Sequence, residues 1–144
     1  MPQELKYFRD QLRSLGLRPT KQRLAVCKIL FNRKETFHFT IEQLEKILQK
    51  SSKEKISLAT LYNTVHALKK RGHLKEISLK ENKTFFDTNT QNHHHFYDED
   101  SSQLIDIEKN SVSLNKTPNA PKGKKVKGVE VLIRIANNNQ NQKK

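Results

Sequence analysis

The chain has 144 residues, of which 33% are apolar and 30% charged, and it carries a formal charge of +13. That length holds one domain or two small ones with separate cores, and no apolar run approaches the roughly 20 residues needed to cross a bilayer. Its single cysteine, Cys27, excludes an internal disulfide and a cysteine-rich zinc finger.

The charge is uneven. Residues 1–80 hold 18 Lys and Arg against 7 Asp and Glu, a surplus of +11. Residues 81–107 hold 1 against 6, and residues 108–144 hold 9 against 2. A basic amino-terminal half suits a polyanion, because neutralising phosphates releases condensed counterions. The segment MPQELKYFRDQL is charged and periodic and does not read as a secretory signal, so cytoplasmic residence with no membrane partner is the default expectation.

Gln3 to Leu15 reads as a first helix with Leu5, Phe8, Leu12 and Leu15 on one side, ended by Gly16. Thr20, after Pro19, is the expected N-cap of a second helix running to about Asn32, whose Leu24, Val26, Cys27, Leu30 and Phe31 supply a core. A polar link containing His38 follows. Thr40 then caps a third helix with the apolar stripe Ile41, Leu44, Ile47 and Leu48.

Beyond a polar loop, Ile56 to Leu74 is a basic amphipathic helix capped by Ser57 and ended by Gly72. Leu58, Leu61, Val65 and Leu68 form its core face, and Thr60, Tyr62, Asn63, Thr64 and Lys69 the face able to touch bases and phosphates. LKEISL (74–79) and KTFFDT (83–88) are strand-like, joined by Lys80, Glu81 and Asn82 as a short turn. Three short helices, a basic helix and a two-stranded hairpin predict a winged helix-turn-helix DNA-binding domain.

Composition changes from Asn89. Thr90 to Asn92 reads as a hinge, His95 to Tyr97 and Gln103 to Ile107 as strands around a polar turn at Asp98–Ser102, and Ser111 to Leu114 as another short strand. Pro118 to Lys127 supports at most a short helix. Gly128 to Ala136 is the clearest strand, with Val129, Val131, Ile133 and Ile135 facing one way. NNNQNQKK is low complexity and expected to be disordered. The expected architecture is α+β: a winged helix-turn-helix domain at 1–88, a small α/β dimerisation and metal-sensing domain at 89–136, and a tail at 137–144. A sheet of about four short strands buries little alone, so homodimerisation is expected, and two-fold symmetry matches paired half-sites on double-stranded DNA.

On a strand, residues i and i+2 share a face, so His93 and His95 point together while His94 points away. Asp87 ends the wing and Asp106 ends the QLID strand, and both can approach the same point; His38 lies in the link between the second and third helices. Three imidazoles and two carboxylates suit a borderline divalent ion such as Fe(II), Mn(II) or Zn(II). A site drawing on both domains would set the spacing of two reading helices and make the metal a switch.

LRPTKQRLAVCKIL, ISLATLYNTVHALKKRGHL and HHHFYDEDSSQLIDI resemble the second helix, recognition helix and metal-binding segment of the ferric uptake regulator (Fur) family. The resemblance, from about Leu15 to Ile107, implies a winged helix hinged to a dimerisation domain. It implies a five-ligand regulatory site at His38, Asp87, His93, His95 and Asp106, and a base contact at Tyr62. The candidate DNA-binding set is Arg18, Lys21, Ser57, Thr60, Tyr62, Asn63 and Lys69.

The departures are specific. Asp98 and Ser101 stand where most family members carry a Cys-x-x-Cys pair, so no four-cysteine structural zinc site is expected, and Asn63 replaces a common arginine. YNTVHALKKRGHL, the HHHFY run without cysteines and VEVLIRI are similar to the iron response regulator (Irr) branch. That likeness implies a repressor of iron homeostasis and haem synthesis genes, sensing haem partly through His93, His94 and His95. A Cys-Pro haem motif is missing, since Lys28 follows Cys27.

The same five ligands also resemble peroxide-sensing family members, in which bound Fe(II) leads to oxidation of ligating histidines matching His38 and His93. A metal-dependent hydrolase would need an open coordination position, a substrate pocket and an acid or base. The chain has four glycines and no glycine-rich phosphate loop, so an enzyme is not expected. A sequence-neutral nucleic-acid binder, driven by charge alone, is the remaining class.

Overall fold

Three side-chain caps start helices in the computed structural model, which describes residues 3–80 and 83–139. Thr20 Oγ1 accepts from Arg23 N at 3.2 Å and Ser57 Oγ accepts from Thr60 N at 3.1 Å. Thr40 closes a reciprocal capping box with Gln43, its Oγ1 accepting from Gln43 N and its own N–H donating to Gln43 Oε1. Each cap satisfies a donor that the first turn leaves open. The elements they open are α2 (Lys21–Phe31), α3 (Ile41–Ser51) and α4 (Leu58–Lys70), with α1 (Gln3–Ser14) before them. Gly72 takes φ +82° just past α4, a left-handed conformation that ends the helix at little steric cost for glycine.

The chain divides into two compact units, Met1–Thr90 and Gln91–Lys144. In the first, α4 presents Leu61, Val65 and Leu68 at i, i+4 and i+7 to a core built with Val26 and Leu30 of α2 and Leu44 and Leu48 of α3. α1 lays Phe8 and Leu12 on Leu24 and Cys27 of α2. After α4, β2 (Lys75–Ser78) and β3 (Thr84–Asp87) form the wing, antiparallel, with Ile77 opposite Phe85. The expected turn falls on Lys80 to Asn82, of which Glu81 and Asn82 lie outside the described residues.

The link around His38, expected to be irregular, contains a short strand, β1 (His38–Phe39), which pairs antiparallel with β3 in the order β1-β3-β2. Phe39 stacks on Phe86 at 5.8 Å, so the strand is held by partners almost fifty residues away. Two expectations for α4 are corrected. Thr64 is fully buried at the edge of the apolar stripe, three residues from Leu61, and its hydroxyl donates to Thr60 O at 2.7 Å. Leu58, in the first turn, remains 48% exposed, because the core begins only at Leu61.

The second unit holds β4 (His95–Asp98), β5 (Gln103–Asp106) and β6 (Leu132–Ile135) in the order β5-β4-β6. β4 is antiparallel to β5, with Phe96 opposite Ile105, and parallel to β6. The crossover between β5 and β6 carries no helix or strand among the described residues. Ser111 to Leu114 is therefore not a strand, and the expected strand from Gly128 contracts to four residues. Polar, Pro- and Gly-containing sequence keeps that crossover irregular, and its Leu114, Val126 and Val129 are exposed. Ile133 and Ile135 keep the expected common side of β6, whereas Val129 and Val131 fall outside the strand; Val129 and Ile133 are exposed, as are Ile105 and Leu132. Residues 140–144 of the tail lie outside the described residues. No helix among those described is long and apolar enough to cross a membrane.

Candidate metal centre and reading helix

Each unit gathers its own share of the expected ligands. In the first, antiparallel pairing of β1 with β3 sets His38 directly opposite Asp87. Asp87 is buried at 1% exposure, and its Oδ1 accepts from Asn89 N at 2.9 Å. The His38 ring meets Phe85 edge to face at 6.3 Å. A buried carboxylate needs compensation by a donor or a cation, and this strand end supplies the first through the backbone.

In the second unit, pairing of β4 with β5 sets His95 opposite Asp106. His95 Nε2 lies 3.1 Å and His93 Nε2 3.6 Å from the same Asp106 oxygen, and the two rings are 4.2 Å apart. His93, His95 and Asp106 can each offer a ligand atom, all within 4.8 Å of one another. Donors at about 2.0–2.2 Å from one ion lie at most about 4.4 Å apart, so the 3.1 and 3.6 Å separations of the Asp106 carboxylate from the two imidazoles fit a shared divalent cation. His93 Nδ1 bonds Gln91 O at 2.7 Å, the backbone partner that fixes the ring of a ligating imidazole.

His94 takes another part. Its Nδ1 accepts the backbone N–H of Val131 at 2.8 Å, tying the start of β4 to the residue before β6. The alternation expected along HHH thus separates His94 from its neighbours, although His93 precedes the strand proper. Where the family pattern has cysteines, Asp98 Oδ1 accepts from Asp100 N at 3.0 Å and Ser101 N at 3.3 Å, closing a turn between β4 and β5. The Ser101 hydroxyl bond, then the Asp100 N–H, holds the Asp98 carboxyl below the usual carboxylate range.

The candidate DNA set is carried entirely by the first unit. Tyr62 and Asn63 are exposed on α4, Tyr62 at 39%. Lys69 is exposed on the same helix but pairs with Glu76 of β2 at 3.3 Å, so helix and wing share its charge. Ser57 and Thr60 are engaged with each other, Ser57 Oγ donating to Thr60 Oγ1 at 2.9 Å. Arg18 and Lys21 are exposed at the entry to α2, where Arg18 O accepts from Arg23 Nη1 at 3.0 Å. Sequence periodicity missed His66. It stacks on Tyr62 one turn earlier, and the i, i+4 spacing of the two aromatics was the available signal.

A winged helix with an exposed basic reading helix, together with histidine–carboxylate clustering, defines a DNA-binding regulator that answers to a metal. A sequence profile of the Ferric uptake regulator family matches residues 14–134, and the chain belongs to that family. It is 31% identical over 105 residues to the peroxide-responsive repressor PerR of Staphylococcus aureus, an alignment spanning 73% of this chain and 69% of that protein. Its fold is similar to the ferric uptake regulator of Vibrio cholerae (TM-score 0.63, 21% identity, 88% of this chain and 98% of the other). It is also similar to that of Pseudomonas aeruginosa with manganese (TM-score 0.63, 16% identity, 90% and 97%). The chain is accordingly a metal-responsive transcriptional regulator of α+β winged-helix fold.

Proposed function

We propose that this chain is a dimeric, peroxide-responsive repressor that uses Fe(II) or Mn(II). The observation that carries the metal part is the convergence of His95 on β4, Asp106 on β5 and His93 just before β4. His38 and Asp87, brought opposite each other by β1 and β3, are proposed as the remaining ligands on the strength of the family resemblance. Ligation by both units would fix their angle and so the spacing of two reading helices on an operator. Zn(II) also suits the donor set.

The likeness to the Staphylococcus repressors favours peroxide over haem as the signal. Bound Fe(II) would supply the electron that activates peroxide beside its own ligands, and the family resemblance assigns the oxidised imidazoles to His38 and His93. The iron response regulator branch, with control of haem synthesis genes and haem on His93 to His95, has no comparable observation behind it. Within that triplet, His94 already uses Nδ1 to accept from Val131 N.

Tyr62 and Asn63 are proposed to read base edges, Lys69, Arg18 and Lys21 to meet phosphates, and Ser57 and Thr60 to shape the first turn of α4. Exposed Ile105 and Ile133, which flank Phe96 on one face of the sheet of the second unit, suit burial against a second copy. A DNA partner places the protein in the cytoplasm under this reading.

The deciding experiment exposes the Fe(II)-loaded and Mn(II)-loaded protein to peroxide and follows operator binding and peptide masses. An added oxygen on His38 or His93, with loss of operator binding in the Fe(II) form alone, is expected. Unoxidised histidines together with release by haem would overturn the peroxide reading in favour of the Irr-like one.

A further inference from the structure

Tyr62 and His66 lie one turn apart on α4, and their rings are nearly parallel, with centroids 6.0 Å apart and planes at 16°. His66 in turn meets Phe86 of β3 edge to face, at 5.9 Å and 86°. Phe86 is anchored: it is 2% exposed, stacks on Phe39, and lies in the middle strand of the wing sheet. A line of three rings therefore runs from the core of the first unit to the exposed phenol of Tyr62. An exposed tyrosine on a bare helix face would sample several rotamers, and fixing it on binding would cost affinity. The imidazole between Tyr62 and Phe86 limits that freedom before DNA arrives.

We infer that His66 is a positioning residue for sequence readout. It holds the Tyr62 ring in its reading orientation by stacking, with Phe86 as the fixed support. This rests on the proposed base contact of Tyr62. His66 itself touches no base in this assignment and acts only through its neighbour.

The test uses the full-length, Mn(II)-loaded dimer and a quantity in which the shared phosphate contribution cancels, the ratio of operator to random-duplex affinity at fixed salt. His66→Ala should lower that ratio about two- to tenfold, the size of one side chain's ordering cost, with the random-duplex affinity and its salt slope unchanged. His66→Phe, which keeps a stacking ring without the imidazole nitrogens, should restore most of the loss. In the metal-free protein, the Tyr62 ring resonances should shift in His66→Ala and keep their ring-current displacement in His66→Phe. In a double-mutant cycle, Tyr62→Ala with His66→Ala should discriminate no worse than Tyr62→Ala alone.

Additive losses, a failure of His66→Phe to rescue, or a fall in random-duplex affinity and salt slope would overturn the assignment. The last would make His66 a phosphate contact. Should Tyr62→Ala lower discrimination while His66→Ala does not, only the positioning role fails. Should Tyr62→Ala leave discrimination intact, the base contact of Tyr62 fails and the positioning role with it.

Discussion

His95 Nε2 and Asp106 Oδ1 stand 3.1 Å apart across the β4–β5 pair, with His93 Nε2 3.6 Å from the same oxygen. His95 is nearly fully buried, whereas the Asp106 side chain is half exposed, so the carboxylate is the open side of this cluster. Asp106→Ala should weaken Mn(II) binding at least about tenfold, the scale on which even supporting groups affect metal affinity. Far-ultraviolet circular dichroism should be unchanged, because the Asp106 side chain is half exposed and the backbone pairing of β4 with β5 is kept. Calorimetric titration with Mn(II) reads the affinity. Wild-type affinity in Asp106→Ala would remove this carboxylate from the site.

Thr64 was expected on the DNA side of α4 and is fully buried. Thr64→Val replaces its hydroxyl with a methyl of similar size and frees Thr60 O, which still serves the helix. The change should alter stability by only about 1 kcal/mol and leave operator affinity as it was. Thr64→Lys should unfold the first unit, since an unpaired ammonium would enter the α4 core. Denaturant titration beside an operator-binding curve for Thr64→Val checks both halves. A lost operator preference in Thr64→Val at native stability would return Thr64 to the reading face.

The helices were legible because their signals are local. Thr20, Thr40, Ser57 and Gly72 act within one turn of chain, and each appears in its expected role. β4 and β5 were legible for a similar reason, since their pairing closes over a turn that Asp98 stabilises. β1 was not legible: two residues carry no periodicity, and His38–Phe39 becomes a strand only because β3 lies beside it. The extent of β6 was misread because alternation in GVEVLIRIA reports a capacity for pairing, whereas β4 offers only four parallel partners. Among the candidate ligands, the i, i+2 rule brought His93 near His95, but the Asp106 partnership depends on register, which no single stretch contains.

Asp98 holds the β4–β5 turn through N–H bonds from Asp100 and Ser101. Hydrogen bonds to the ionised carboxylate, the Ser101 hydroxyl foremost, lower its folded pKa from 3.8. The folded state therefore prefers the charged form. Its contribution is fully present above the unfolded value and fades as pH falls below 3.8 through the depressed folded value. Asp98→Ala should lower the melting temperature of the full chain at pH 7, and that difference from wild type should shrink towards pH 3. Calorimetric melts at both pH values measure it, and an equal deficit at the two would assign the loss to packing instead.

Cys27 is fully buried between α1 and α2, and burial pushes its thiol from 9.0 up to about 12. Thiolate is the reactive form, so folded protein should resist alkylation at pH 8, and peroxide should leave this sulfur untouched. Denaturation should make it react at the rate of a free cysteine. Because the folded value is raised, the associated stability is complete below pH 9 and lost as pH rises towards 12. Cys27→Ala should flatten that part of the alkaline stability profile. Rapid iodoacetamide labelling of native protein would show that α1 opens readily from α2.

Ile105 on β5 and Ile133 on β6 are 44% and 37% exposed, and Leu132 is 40% exposed, in a unit whose described residues form only a three-stranded sheet. A small sheet with this much apolar surface gains little by folding alone. Ile105 and Ile133 flank Phe96 on one face of that sheet, and each, buried against a second copy, would contribute about 1.5–3 kcal/mol before the cost of association. Ile105→Glu combined with Ile133→Glu should therefore shift the protein from dimer to monomer at micromolar concentration, as measured by light scattering during size exclusion. Operator affinity should fall with it, because a monomer engages one half-site at a time. Single half-site duplexes should bind mutant and wild type alike, since Tyr62 and Asn63 belong to the other unit. A double mutant that remains dimeric would place the self-association surface elsewhere on the chain.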